Sequence, residues 1–223
     1  MNAERNDDPV GWGADRVGVK AALELWPPWE AVSRLGRVRV QARRLRAAVR
    51  DGGGRVVQLR SGGDLGRHVD AWRGGRASAA GWGGGGANGS VATLGVVLGV
   101  EGVQCLNGRV DNVDVLHRLG VRVLGLTHFH DTPAGGSAAG RVQGGLTPWG
   151  RDLLRRAVAH GMVVDLAHAS AALIADVLAL PPDDRPPVMV SHTGFSALGL
   201  EESVVAGVMG GNYVDFLLRS LPA

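Results

Sequence analysis

LGVVLGVEG (residues 94–102), VRVLGLTHFH (121–130), MVVDLAHAS (162–170) and PVMVSHTG (187–194) are the four stretches whose reading decides the fold. Each is a Val/Leu-rich run that ends on a residue of metal-ligand type: Glu101, then His128 and His130, then His168, then His192. Short apolar runs separated by helical patterns read as buried parallel strands of an α/β protein. Polar residues just past the carboxyl ends of such strands lie where a barrel or an open α/β sheet keeps its chemistry. One carboxylate and several imidazoles delivered to a single rim point to a hydrolytic metal site.

The segments between these runs have helical spacing. Asp111 is expected to cap a helix carrying Val113, Leu116 and Leu119, which Gly120 closes. Thr147 and Pro148 form a cap followed by a first-turn proline, with Trp149, Leu153, Leu154 and Val158 on one face until Gly161. Ser170 caps a helix from Ala171 to Leu180. The strands are then Leu94–Val100, Val121–Leu126, Met162–Leu166 and Pro187–Ser191, with His168 and His192 each directly past a strand.

Upstream, a helix from Val38 buries Val38, Ala42, Leu45 and Val49 and stops at Gly52–Gly54. Val56 to Leu59 reads as a short strand, and Asp64 as the cap of a helix bearing Leu65, Val69 and Trp72. Residues 73–90 form a glycine-rich loop, whose glycines do not fit a dinucleotide fingerprint because no apolar strand leads into them. Residues 1–36, with the Trp26-Pro27-Pro28-Trp29 cluster, read as a poorly structured N-terminal extension, and 37–223 as one partial barrel. Val204–Met209 and Tyr213–Leu218 are apolar segments without a polar ligand at their ends. The fold class expected is α/β, of the (β/α)8 TIM-barrel type, incomplete, with about five recognisable strands where a full barrel takes ~250 residues.

Composition excludes several classes. A chain of 223 residues with 45% apolar and 20% charged content is globular. The one cysteine, Cys105, leaves no internal disulfide. Net charge is +3, but the positive charge is arginine dispersed among acids, and 4% aromatic content is too sparse for base stacking, so no nucleic-acid partner is expected. The N-terminus lacks a basic segment followed by an apolar one, and no run approaches the ~18 apolar residues of a membrane span. A cytoplasmic protein without a membrane partner is expected. An incomplete barrel exposes strand edges, which invites homo-oligomer formation.

Each chemistry-bearing residue has two readings. Glu101, followed by Gly102, is a carboxylate able to bridge two divalent ions, or an ordinary loop acid. His168 and His192 are zinc-type ligands or hydrogen-bonded loop residues; two of them on one rim with Glu101 favour the ligand set. His128 or His130 can donate to a substrate carbonyl and stabilise an oxyanion, and alternation does not choose between them. Asp165 either orients a ligand or satisfies buried backbone.

The blocks GVEGVQCLNGRVDNVDVLHRLGVRVLGLTHFHD, GGLTPWGRDLLRRAVAHGMVVDLAHAS and PPVMVSHTG closely resemble the renal (membrane) dipeptidase family, peptidase family M19, collinearly from about Val38 to Leu198. The resemblance implies a zinc-dependent (β/α)8 barrel in which two zinc ions bridged by a glutamate hydrolyse dipeptides. It places Glu101 at the bridging, catalytic glutamate, His168 and His192 at the two histidines of the second zinc, and His128 at the histidine facing the substrate carbonyl. Members also carry a His-x-Asp pair on their first strand, absent before Glu101 except for His68-Val69-Asp70, which sits in a helix pattern. The family's substrate-carboxylate arginine falls in a segment that here reads SALGLEESVVAG, and a late aspartate would lie beyond Ala223. The resemblance thus implies a dipeptidase truncated at both ends, with at most one zinc and little activity, or else a non-catalytic remnant or binding module.

Overall fold

The computed structural model of the chain describes residues 24, 26–77, 93–192 and 212–221. Its elements run α1 (Pro28–Ala31), α2 (Arg34–Asp51), β1 (Val56–Gln58), α3 (Gly62–Ala77), β2 (Leu94–Val96), β3 (Leu98–Val100), α4 (Asn112–Leu119), β4 (Val121–Gly125), α5 (Pro148–Ala159), β5 (Val163–Asp165), α6 (Ala171–Leu178), β6 (Val188–Met189) and α7 (Asn212–Ser220). Two compact units divide them, one from residues 1–42 and 99–194, the other from 43–98 and 195–223.

In the first unit the strand order is β3-β4-β5-β6. Strands β4 and β5 are parallel with Leu124 opposite Val164, and β5 and β6 are parallel with Val164 opposite Val188. Every residue of β4 and β5 is buried, which is why, Arg122 and Asp165 apart, these strands are apolar on both faces rather than alternating. Their cover comes from Val113 and Leu116 of α4, Leu153, Leu154 and Ala157 of α5, and Leu173 and Val177 of α6, all fully buried. Each such Leu or Val contributes roughly 1.5–3 kcal/mol on burial.

The local helix signals act as the spacing predicts at two starts. Thr147 Oγ1 accepts from Gly150 N at 2.9 Å with Pro148 in the first turn, and Ser170 Oγ accepts from Leu173 N at 3.0 Å. Gly120, at φ 96°, closes α4. Asp111 stands at the start of α4 but its side chain makes no cap bond. The reason is that Asn112, Val113 and Asp114 already donate their amides to the carbonyls of Arg109, Val110 and Asp111.

The second unit holds a parallel pair, β1 and β2, with Val57 opposite Gly95. Gly53 and Gly54, at φ 56° and 81°, end the preceding helix as expected. At the start of α3, Ser61 rather than Asp64 is the cap. Ser61 Oγ accepts from Asp64 N at 3.1 Å, while Asp64 Oδ2 reaches back to Ser61 N at 3.1 Å and Arg60 N at 2.9 Å, a reciprocal capping box.

Other differences from the sequence reading have physical causes. The expected strand 94–100 is two, β2 bonded to β1 and β3 in the sheet with β4. The last strand shortens to Val188–Met189. Helix α3 runs to Ala77, through the first residues assigned to the glycine-rich loop; residues 78–92 lie outside the described residues. Tyr213–Leu218 belongs to a helix, whose Leu217 is 2% exposed, while Val204–Met209 lies outside the described residues. Residues 26–36, placed in a poorly structured extension, are helical and packed: Trp26, Ala31 and Val40 form a buried cluster. Gly36 permits this, since a Cβ there would lie 2.6 Å from Glu30 Cα. Among the described residues no helix is long and apolar enough to cross a membrane.

Candidate metal centre

Glu101 is the first residue after β3, at the start of a turn that Gly102 makes at φ 93°. The turn is tied to the end of β4, where Gly102 N donates to Gly125 O at 3.1 Å. Gly125 is what lets them meet. A Cβ there would stand 2.8 Å from Val100 O, 3.2 Å from Gly102 N and 3.3 Å from Glu101 Cα.

His168 and His192 are each the third residue past a strand, not the first, because β5 ends at Asp165 and β6 at Met189. After Leu166 N, which still donates to Met189 O at 2.8 Å, Asp165 Oδ1 accepts from Ala167 N at 2.9 Å and Ser191 N at 3.0 Å. His168 holds a left-handed backbone, φ 65°, rare for a residue with a side chain. Its carbonyl accepts from Ala138 N at 2.8 Å, in the long loop after β4. Asp131 organises that loop by accepting from Ser137 N at 2.8 Å, Val142 N at 2.7 Å and Gln143 N at 3.3 Å. The Ser137 hydroxyl in turn donates to the carbonyl of His128.

Side chains from all four strand ends meet at one carboxylate oxygen. Glu101 Oε1 lies 3.0 Å from His168 Nε2, 3.4 Å from His192 Nε2 and 3.6 Å from His128 Nε2. His168 Nε2 and His192 Nε2 are 2.7 Å apart. The rings of His128 and His168 stand edge to face at 4.7 Å, and Phe129, 59% exposed, lies against both. Of His128 and His130, His128 is the one whose ring lies beside Glu101 and His168. Burial first of all holds the His128 pKa below the usual imidazole range, with the neighbouring imidazoles His168, His192 and His130 adding to the effect and Glu101 opposing it.

The donor set suits one divalent cation. Bond lengths of ~2.0–2.1 Å in a tetrahedral zinc site put neighbouring donors about 3.3 Å apart, and the three edges of the Glu101–His168–His192 triangle are 3.0, 3.4 and 2.7 Å. Two imidazole nitrogens at 2.7 Å need a proton or a cation between their lone pairs. Among the described residues this is the one group of three or more such donors brought together. His68 and Asp70 lie within helix α3, two residues apart, so they do not share a face. His68 packs against Gly95. The segment expected to replace the substrate arginine, 196–207, lies outside the described residues. Gly125, Asp131, Ser137 and Ser191 were missed from sequence; the Asp directly after HFH was the one visible sign of the loop's organising carboxylate.

A carboxylate and imidazoles gathered at the ends of parallel strands make this an α/β protein with a candidate metal centre on its strand-end rim. The family model described as membrane dipeptidase (peptidase family M19) matches residues 87–212, more than half of this chain, and the chain belongs to that family. Among curated proteins it is similar to dipeptidase tcpJ of Claviceps purpurea, 35% identical over 104 residues, and to dipeptidase aclJ of Aspergillus oryzae, 36% identical over 104 residues. Each alignment takes in 46% of this chain and 24% of the relative, so the matched part spans about a quarter of those proteins. Among solved structures it resembles the probable dipeptidase PvdM from Pseudomonas aeruginosa (TM-score 0.56, 20% identity, 71% of this chain and 36% of that one). It also resembles a metallopeptidase from Rhodobacter sphaeroides liganded with a phosphinate mimic of L-Ala-D-Ala (TM-score 0.50, 23% identity, 68% and 38%). These likenesses establish the fold as the TIM-barrel type, present here in part: the described strands form a pair and a four-stranded sheet, without a closed barrel among the described residues.

Proposed function

We propose that this chain carries one half of a dipeptidase metal centre, in which Glu101, His168 and His192 hold a single zinc ion and His128 faces the scissile carbonyl of a dipeptide. The observation that carries the reading is the approach of three imidazole nitrogens to one oxygen of Glu101, within 3.6 Å. With an ion bound, these residues would gain a Lewis acid able to lower the pKa of water and to neutralise charge developing on a carbonyl oxygen. In this reading Glu101 would take the proton of the attacking water. His128, whose pKa burial lowers, would donate a hydrogen bond to the carbonyl oxygen as charge builds. The side chains of Glu101 and His192 are about half exposed, 51% and 53%, so water and substrate would have access to an ion held there. The dipeptide as substrate class is supported by the names of the curated relatives and by the dipeptide mimic in the Rhodobacter enzyme.

With one ligand set in place, the expected stoichiometry is one zinc per chain and dipeptide turnover close to background. Elemental analysis after dialysis, with a dehydropeptide hydrolysis assay, tests both. Glu101→Gln and His192→Gln should each abolish retention of the ion. Two tightly held zincs with brisk turnover would overturn the single-ion reading, and no retention by the unaltered chain would overturn the metal centre itself.

A further inference from the structure

We propose that Asp165 and Ser191 are positioning residues that hold the imidazole proton of His192 on Nδ1, keeping the Nε2 lone pair turned toward the cation; this rests on the metal centre proposed above. Asp165, 8% exposed at the end of β5, uses Oδ1 for the two backbone amides of Ala167 and Ser191. Its other oxygen, Oδ2, accepts from the Ser191 hydroxyl. In that bond the hydroxyl donates and the carboxyl oxygen accepts. The same Ser191 Oγ lies 2.8 Å from His192 Nδ1. With its one proton directed at Asp165, the hydroxyl meets the ring through a lone pair, and His192 must donate from Nδ1–H. A neutral imidazole carries one ring proton, which leaves Nε2 bare, 3.4 Å from Glu101 Oε1 and 2.7 Å from His168 Nε2. A hydrogen bond at one ring nitrogen is the usual way a protein selects the nitrogen offered to a metal. Here the selection passes through a hydroxyl from a carboxylate 26 residues away in sequence.

The relay has a direction, and substitutions can reverse it. Ser191→Ala removes the hydroxyl but keeps the Ser191 amide on Asp165 Oδ1, so the local backbone stays tied. Asp165→Asn is sharper. The amide oxygen stays with the two backbone donors, and the side-chain NH2 then takes the place of Oδ2 and donates to Ser191 Oγ. The Ser191 proton must turn toward His192 Nδ1, which drives the ring proton to Nε2 and blocks the ligand atom. Ser191→Thr preserves the hydroxyl and the relay.

The test uses the full chain labelled with 15N-histidine, free of metal, with imidazole nitrogen shifts assigned through His192→Gln. Zinc affinity is read separately by competition with a chromophoric chelator. The unaltered chain and Ser191→Thr should show the Nδ1–H form of His192. Asp165→Asn should show the Nε2–H form, and Ser191→Ala a mixture. Zinc affinity should fall about 10–100-fold in Ser191→Ala and at least as far in Asp165→Asn. An unchanged Nδ1–H form in Asp165→Asn, or zinc affinity within two-fold of the unaltered chain in Ser191→Ala, overturns the relay. Absence of zinc binding by the unaltered chain overturns the metal-centre reading instead, and the relay is then judged on the nitrogen shifts.

Discussion

Adding one methyl group at Gly125 should loosen both the sheet and the metal centre. Gly125 closes β4 without a positive φ, so alanine fits its backbone. On conformational entropy alone the substitution would stabilise the chain by about 0.4–1 kcal/mol. The contacts decide otherwise. The new Cβ would stand 2.8 Å from Val100 O, 3.2 Å from Gly102 N and 3.3 Å from Glu101 Cα, all backbone or backbone-bound atoms that no rotamer change can move. Restoring an ordinary contact of about 3.4 Å needs the Val100–Gly102 turn to retreat by roughly 0.6 Å. That retreat strains the Gly102 N to Gly125 O bond, now 3.1 Å, a bond worth about 1 kcal/mol. Overpacking of this kind costs about 1–3 kcal/mol, so the net expected loss is about 1–2 kcal/mol in urea unfolding. The same shift carries the Glu101 carboxylate away from His168 and His192, and zinc affinity should fall at least ten-fold, about 1.4 kcal/mol. A Gly125→Ala chain with an unchanged or higher urea midpoint and zinc affinity within two-fold of the parent would refute the idea that this close approach sets Glu101.

The salt-bridged pair joining α4 to α5 makes stability pH-dependent. Hydrogen bonds from Arg156 and then His160 hold Asp114 well below the usual carboxylate range. A folded pKa depressed in this way contributes stability in full above the unfolded value of about 3.9 and loses it as pH falls below that. Urea midpoints between about pH 6 and 3 should therefore drop more steeply in the unaltered chain than in Asp114→Asn; parallel profiles would rule the pair out. Burial pushes the Cys105 thiol up to about 12, so a thiolate-directed reagent near pH 8 should label it only after unfolding. Labelling of the folded chain as fast as in urea would contradict the packing of the turn after Glu101.

What could be read from the sequence was whatever a few neighbouring residues decide. Thr147 with Pro148, and Ser170, start helices because the amides they serve lie within the next three residues. Ser61 and Asp64 show where this begins to fail, since either side chain could cap and the geometry gives the part to Ser61. Asp111 failed because the turn before it had already satisfied the amides it would have served. The break between β2 and β3 could not be read, because LGVVLGV is equally apolar throughout and the change of pairing partner is decided by strands distant in sequence.

The same divide runs through the candidate site. Glu101, His168 and His192 were legible as donor types at strand ends, and strand ends are a local property. The direction each donor faces is not. His168 turns inward through a left-handed backbone whose carbonyl is held by Ala138, thirty residues before it, and nothing in AHAS distinguishes that conformation from an ordinary extended one. His128 and His130 have identical chemistry two residues apart, and the loop that Asp131 and Ser137 tie down is what separates them. Nothing in SHTG singles out Ser191. It gains a part to play only when β5 and β6 lie side by side and Asp165 comes within reach of its hydroxyl. Sequence lists the lone pairs a site can offer; packing decides where they point, and a metal centre consists of the second as much as the first.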